Sequence, residues 1–473
     1  MDLLVRLGSI LPRDAVLTGG DMAGHLQDWW GRQQGQALCV ALPHDTAEVS
    51  AIVSACAAAG HGVIPQGGNT GLTGAGVPGG PVGERLPVIV SLARLRQIRD
   101  IDVANFTISV DGGCILADVQ AAAEAHQRLF PVSLGAEGTC QIGGIVSTNA
   151  GGTNVLRYGS TRENVLGLEV VLPDGTVWNG MTALRKDNTG YDLRQLFIGA
   201  EGTLGIVTAA VLKLHPLPTA HATAWLAVDS PGAALAVLNR LRAACGERLT
   251  TFELLNAAQL AAVITCQPKL RRPVEAPWHL LVELADMTDS GALEALLFDT
   301  LGAALAEAEI QDAIPARNGA QRAEFWALRH GTAEGNRKAG VVLPADISVP
   351  TAAVPAFLEN ASDAVRDVFP QADIRVVSHM GDGNVHFGTC FDPADWQAMR
   401  DQTATTLAVR RIVDDCADAL DGSFSAEHGI GRKLAAELVK RTDPVELSLM
   451  RRIKAALDPA GIMNPGCLLP EQG

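Results

Sequence analysis

Short apolar runs broken by glycine dominate the first half of the chain. Pro87–Leu92, Thr107–Val110, Leu168–Leu172 and Gly205–Leu214 are of strand length and end in turn-forming residues, so the pattern predicts strands. Helical spacing replaces it at Thr46–Ala59 and Ile115–Ala125, and the first of these follows a capping-box sequence, Asp45-Thr46-Ala47-Glu48. From about residue 218 the texture changes. Longer Ala/Leu helices at Pro231–Ala244, Gly291–Ala308 and Thr351–Val368 alternate with strands at Thr223–Val228 and His279–Leu284. That alternation predicts helices layered on an antiparallel sheet. The last stretch, Ser423–Gly473, is rich in motifs again and is expected to return to the first domain and the active site. The expected class is α+β, with domains at 1–217, 218–422 and 423–473.

Length and composition agree with this division. At roughly 100–200 residues per domain, 473 residues make two or three domains, and 47% hydrophobic residues supply ample core. A net charge of −15 leaves no basic stripe for nucleic acid. No apolar run is long enough to span a membrane. Asp2 and Arg6 stand where a secretory signal needs a basic start and an apolar stretch, so a cytoplasmic protein is expected. The nine cysteines are scattered without a C-x-x-C pair, which fits reduced, packed thiols and excludes an iron–sulfur or zinc-ribbon signature.

Candidate chemistry begins at Pro65-Gln66-Gly67-Gly68-Asn69-Thr70-Gly71-Leu72-Thr73-Gly74-Ala75-Gly76, just after Val63-Ile64. Clustered glycines let backbone N–H groups converge into a nest that binds a diphosphate. A purely structural turn explains this one loop equally well. Within Pro65–Gly76 the spacing is neither G-x-G-x-x-G nor a Walker loop. Two more loops shift the balance: Gly135–Gly144 running into Ser147–Gly152, and Gly199–Val207. Three such loops fit a long, flat ligand lying on bare backbone.

Together with Arg157-Tyr158-Gly159, Leu172-Pro173-Asp174-Gly175 and Asp187–Leu193, these loops resemble the FAD-binding domain of the vanillyl-alcohol oxidase / p-cresol methylhydroxylase superfamily, over about residues 36–217. The resemblance implies that Pro65, Gln66, Gly67, Gly68, Asn69, Thr70, Gly71 and Leu72 hold the pyrophosphate. It implies that Leu134, Gly135, Thr139, Gly143, Gly144, Thr148, Asn149 and Gly151 line the flavin and adenine. Glu201, Gly202, Gly205, Ile206 and Val207 would do so from the third loop, with Asn464 near the C-terminus. Some members attach flavin through His or Cys; Asn69 and Thr70 stand in that part of the loop here, so dissociable FAD is expected.

A second constellation lies at Ser378-His379-Met380-Gly381-Asp382-Gly383-Asn384-Val385-His386, between the strand-like runs Ile374–Val377 and Val385–Cys390. Asp382-Gly383 favours a two-residue hairpin turn, which would set His379 directly opposite His386. Such a pair is either a bidentate metal site or two ordinary surface histidines. Glu427-His428-Gly429 in Ser425–Gly431 could add a ligand and a base. Two histidines and a carboxylate suit catalytic zinc, and also non-haem iron.

H-x-G-D-G-N-x-H followed by E-H-G-I-G resembles the D-2-hydroxyacid dehydrogenase branch of the superfamily, which includes D-lactate and D-2-hydroxyglutarate dehydrogenases and the glycolate oxidase catalytic subunit. The resemblance implies His379, His386 and Glu427 as metal ligands, His428 as catalytic base and Arg329 as the substrate-carboxylate arginine. Zinc is the first choice of metal, with manganese or iron as alternatives. The implied reaction is FAD-dependent oxidation of a D-2-hydroxy acid to the 2-oxo acid. Electrons would pass to a separate acceptor: an electron-transferring flavoprotein, a quinone or a cytochrome. A homodimer is among the assemblies this reading allows. The alternatives are a flavoprotein subunit of a glycolate-oxidase-like complex, or a metal-dependent hydrolase whose glycine loops are structural. Where the 2-hydroxyglutarate enzymes lead one to expect threonine, lysine and asparagine, this chain has Ala333, Pro344 and Gly388. Loss of a cation and two polar groups points to a monocarboxylate or an apolar side chain.

Overall fold

Contacts in the computed structural model, which describes residues 2–79 and 85–470, divide the chain into two units. The first comprises residues up to 152, 159–217 and those from 428 onward; the second comprises 153–158 and 218–427.

In the first unit, strands Cys39–Ala41, Val88–Ser91 and Val63–Gln66 run parallel, with Val16–Leu17 added antiparallel at one edge. Parallel neighbours need a crossover. The helix Thr46–Ala59 carries the chain from Cys39–Ala41 to Val63–Gln66, on either side of Val88–Ser91, and buries Val49, Ile52, Val53 and Cys56 in the same core as Val63, Val88 and Val90. Its start is fixed by charge. Asp45 accepts from Glu48 N at 2.8 Å, and Glu48 reaches back to His44 N at 2.6 Å. Gly60, at φ 66°, ends it in the left-handed conformation. A second sheet is antiparallel, in the order Ile98–Asp102, Thr107–Asp111, Ile206–Lys213, Val165–Val171, Val177–Gly180. The closing segment returns beside the strand that feeds the first glycine loop: Val63 N bonds Ile462 O and Asn464 N bonds Val63 O.

The second unit is built on a seven-stranded antiparallel sheet. Its order is Asp312–Pro315, Ala220–Val228, Trp278–Asp286, Leu249–Asn256, Asp373–His379, Asn384–Phe391, Val341–Ser348. On one face Trp225, Leu255, Leu281 and Val377 pack under Leu260 and Val263 of helix Ala257–Cys266 and under Phe325 and Leu328 of helix Gly319–His330. On the other, Phe387 meets Phe357 of helix Val354–Val368. The α+β class, the antiparallel sheet and the return of the closing segment are as the sequence leads one to expect. Among the described residues no helix is long and apolar enough to cross a membrane.

The hairpin differs from expectation. Residues 380–383 form a four-residue loop, so His379 pairs with Asn384, and His386 pairs with Val377. Asp382 causes the change: its N–H bonds His379 O at 3.1 Å and its side chain accepts from Asn384 N at 3.1 Å, closing the turn one pair early. Gly383 lies at φ 87°, and a Cβ there would sit 2.1 Å from Val349 O. The slip is two residues, one full strand period, so both histidines stay on the same face.

The helix cap gives a direct check. Asp45→Ala should lower stability by about 1 kcal/mol, read from the midpoint of denaturant unfolding; an unchanged midpoint would remove the capping role.

Candidate active site

In the first unit the glycine loops meet backbone to backbone. A Cβ on Gly68 would lie 2.0 Å from Thr139 O, so only glycine lets the first loop rest on the second. Gly71, Gly135, Gly138 and Gly144 instead face open space. Bare backbone on the open side suits a flat ligand with phosphates. Among the described residues, four of the nine non-glycine residues with positive φ are Asn69, Asn149, Glu201 and Asn464, one in each loop and one in the closing segment. Clustered left-handed residues mark places where the surroundings hold the backbone in a shape it would not adopt alone.

Those surroundings are visible. Glu201 is buried, and its carboxylate accepts from Ile430 N and Gly431 N, both at 2.7 Å. Burial raises its pKa, with the two N–H groups pulling the other way. Arg432 donates to Gly74 O, Ala75 O and Asn464 Oδ1, and Asn464 Nδ2 donates to Glu201 O and Ala75 O. The side chains of Glu201 and Asn464, expected at the cofactor, therefore brace the loops. Gln66 is likewise committed, to His25 and Gly76 O, and Asn69 to Gln27 O. Gly143 and Gly205 serve packing: a Cβ would meet Val207 O at 3.0 Å and Val170 at 2.7 Å respectively. Ile206 and Val207 are buried strand residues, and Leu134 packs on the core of this unit. Pro65 touches Gly202, and Thr148 bonds Gly144 O. Thr70, Leu72, Thr139 and Gly151 are partly or fully exposed. The backbone of the loops, with few side chains, is what remains for a ligand.

In the second unit the chemistry gathers on the sheet face that carries Val377. Glu253 is 1% exposed and holds two partners: Arg329 Nε at 2.5 Å and His379 Nδ1 at 2.6 Å. Burial alone would push the Glu253 carboxyl up, but the charges of Arg329 and His379 outweigh it and hold it at about 2. Burial would lower His379; Glu253 outweighs that and raises it to about 9. With Nδ1 tied to Glu253, Nε2 is the nitrogen that a metal would take, by displacing the ring's second proton; Arg329 Nη2 lies 3.3 Å from it. The His379 and His386 rings stand edge to face with centroids 5.4 Å apart.

His386 meets Glu427, with Nε2 and Oε1 3.3 Å apart. Ser348 and Ser423 exchange backbone hydrogen bonds, which lays the Glu427 segment against the sheet edge. Asp346 then fixes it, accepting from Glu427 N at 2.9 Å and from Asn384 Nδ2 at 2.9 Å, with His386 Nδ1 at 3.5 Å. Ligand atoms of Asp346, His386 and Glu427 lie within 4.8 Å of one another, a donor set that fits a divalent cation. His428 follows Glu427 in the chain and belongs to the first unit, where its carbonyl accepts from Thr73 Oγ1.

Sequence reasoning missed Glu253 and Asp346. Both left a signal: a lone carboxylate within an otherwise apolar or small-residue strand, in Leu249–Asn256 and Val341–Ser348.

A family model described as FAD linked oxidases, C-terminal domain, matches residues 217–468, and one described as FAD binding domain matches residues 37–180. Among solved structures, 4-ethylphenol oxidase from Gulosibacter chungangensis superposes with TM-score 0.76 at 18% identity, covering 99% of this chain and 97% of that one. p-Cresol methylhydroxylase gives TM-score 0.74 at 15% identity, covering 99% and 96%. These likenesses define the fold as that of a p-cresol-methylhydroxylase-type flavoprotein. Among curated proteins, bovine mitochondrial D-2-hydroxyglutarate dehydrogenase is 35% identical over 99% of this chain and 84% of its own length. The D-2-hydroxyglutarate dehydrogenase of Xanthomonas citri pv. viticola is 35% identical over 95% and 92%. The chain belongs to the FAD-linked oxidase family and is a flavin-dependent oxidoreductase, which removes the hydrolase alternative. One expectation is corrected: the bovine and Arabidopsis thaliana relatives are named mitochondrial, which overturns the cytoplasmic location. The N-terminal residues had spoken only against a secretory signal.

The buried triad predicts a large effect. Glu253→Gln would leave Arg329 buried without its counter-charge and should cost about 3–5 kcal/mol of stability, measured by chemical denaturation. A loss under about 1 kcal/mol would mean that the pair behaves like a surface ion pair.

Proposed function

We propose that the chain oxidises a D-2-hydroxy acid to the 2-oxo acid with dissociable FAD and a divalent metal, zinc first, held by His379, His386 and Glu427. The observation that carries this is the convergence of Asp346, His386 and Glu427 beside His379 on one sheet face, in a chain with an FAD-binding domain. The names of the relatives, D-2-hydroxyglutarate dehydrogenases, support the substrate class. Bound there, FAD would supply a two-electron acceptor and the metal a Lewis acid.

The residues do the rest. Arg329, immobilised by Glu253, holds the substrate C1 carboxylate. Glu253 keeps His379's proton on Nδ1 and Nε2 directed at the ion, while Asp346 orients His386 and the Glu427 backbone. His428 would take the hydroxyl proton, and bound FAD would supply the acceptor for the Cα hydrogen and its electron pair. The product is the 2-oxo acid, and the electrons leave for a separate acceptor: an electron-transferring flavoprotein, a quinone or a cytochrome.

His428→Ala tests the assignment of the base. The variant should retain flavin and metal while turnover of the 2-hydroxy acid falls roughly 10²–10⁴-fold. Turnover at the parent rate would end that assignment.

A further inference from the structure

The sheet face that carries His386 continues beyond it. Strand register sets Asp346, His386 and Val377 in one cross-strand row, and Pro344, Gly388 and Arg375 in the next row of the same face. A Cβ on Gly388 would lie 3.7 Å from the Arg375 Cβ, so the Arg375 side chain rises from this face beside the bare glycine. It is 11% exposed, and Asp373 accepts from its Nε at 3.0 Å. Its Nη1 is buried and has no hydrogen-bond partner among the described residues. A buried guanidinium nitrogen without an acceptor is unfavourable, and an acceptor brought by a ligand would satisfy it.

Neither Pro344 nor Gly388 offers a charge or a donor to this row, so its cation is Arg375. Adjacent same-face rows are about 7 Å apart. At about 1.5 Å per C–C bond, a 2-hydroxy acid of about four or five carbons, anchored by its hydroxyl and C1 carboxylate at His386 and Glu427, spans that distance. We propose that Arg375 is a specificity-determining residue that receives the distal carboxylate of a short 2-hydroxydicarboxylic acid. The assignment rests on the metal-assisted reading of the site above. It replaces the monocarboxylate expected from Ala333, Pro344 and Gly388: the cation comes from the neighbouring strand. Its guanidinium fork suits a carboxylate, and Asp373 orients it through Nε while leaving Nη1 free to donate.

The test compares the holoenzyme with Arg375→Gln and Arg375→Lys, using D-2-hydroxyglutarate and D-malate against D-lactate with a dye acceptor. The dicarboxylate-to-lactate ratio of kcat/KM should fall roughly 10- to 100-fold in R375Q, mainly through KM, and recover in part in R375K. Calorimetric titration with 2-oxoglutarate and with pyruvate reads the same contact without turnover, and R375Q should weaken 2-oxoglutarate binding by a similar factor relative to pyruvate. An unchanged ratio in both measurements, or equal losses for both ligand classes, would overturn the assignment and leave Arg375 a structural partner of Asp373. If the parent enzyme oxidises no 2-hydroxy acid, the reading of the reaction fails. The calorimetric ratio still decides the role of Arg375.

Discussion

Glu253 is the carboxylate on which the second unit's site depends. Buried at 1% exposure between Arg329 and His379, it is tolerable only because both partners are charged or hydrogen-bonded to it. It fixes two groups at once: the arginine assigned to the substrate carboxylate and the imidazole assigned to the metal. A loop could not hold them so firmly. Glu253 stands in a strand interior, paired directly across from His379, so the sheet itself sets the spacing.

The first unit applies the same physics to backbone. Glu201 binds two successive N–H groups of the closing segment, and Arg432 binds the carbonyls of the first glycine loop. Buried charges there hold loops whose own conformations, at Asn69, Asn149 and Glu201, are unfavourable in isolation. In both units, then, buried polar side chains act as braces, while the groups left for ligands are backbone, imidazole, guanidinium and the Glu427 carboxylate. The group of Asp346, His386 and Glu427 is similarly layered. Asp346 touches His386, Asn384 and the Glu427 backbone together, so a change there would disturb the ligand geometry as a whole.

Much of this was legible in the chain because periodicity records burial. The helix at Thr46–Ala59 was readable from its capping sequence and apolar spacing, and strands such as Val88–Ser91, Thr107–Asp111 and Val165–Val171 from their apolar runs. His386 and Glu427, far apart in sequence, were legible as candidates from the hairpin pair and the Glu-His run, and as one ligand set only through a motif resemblance. The hairpin register was not, because Asp-Gly favours a two-residue turn locally, whereas the Asp382 side chain and the approach of Gly383 to Val349 select a longer one. Glu253 and Arg375 were missed for another reason. A charge in a strand, even one that stands out, acquires a role only when the neighbouring strand and its register are known. The side chains of Glu201 and Asn464 looked like cofactor contacts because they lie in cofactor loops, yet their hydrogen bonds point inward.

The central claim is that metal and flavin act together on a D-2-hydroxy acid. Anaerobic mixing of the holoenzyme with D- or L-2-hydroxyglutarate, followed at the flavin's visible absorption band, tests it most directly. The account predicts rapid bleaching with the D form, loss of that bleaching after chelation with flavin retained, and recovery when zinc or manganese is restored. Bleaching that is equally fast in the chelated enzyme, or absent with every 2-hydroxy acid tried, would contradict it.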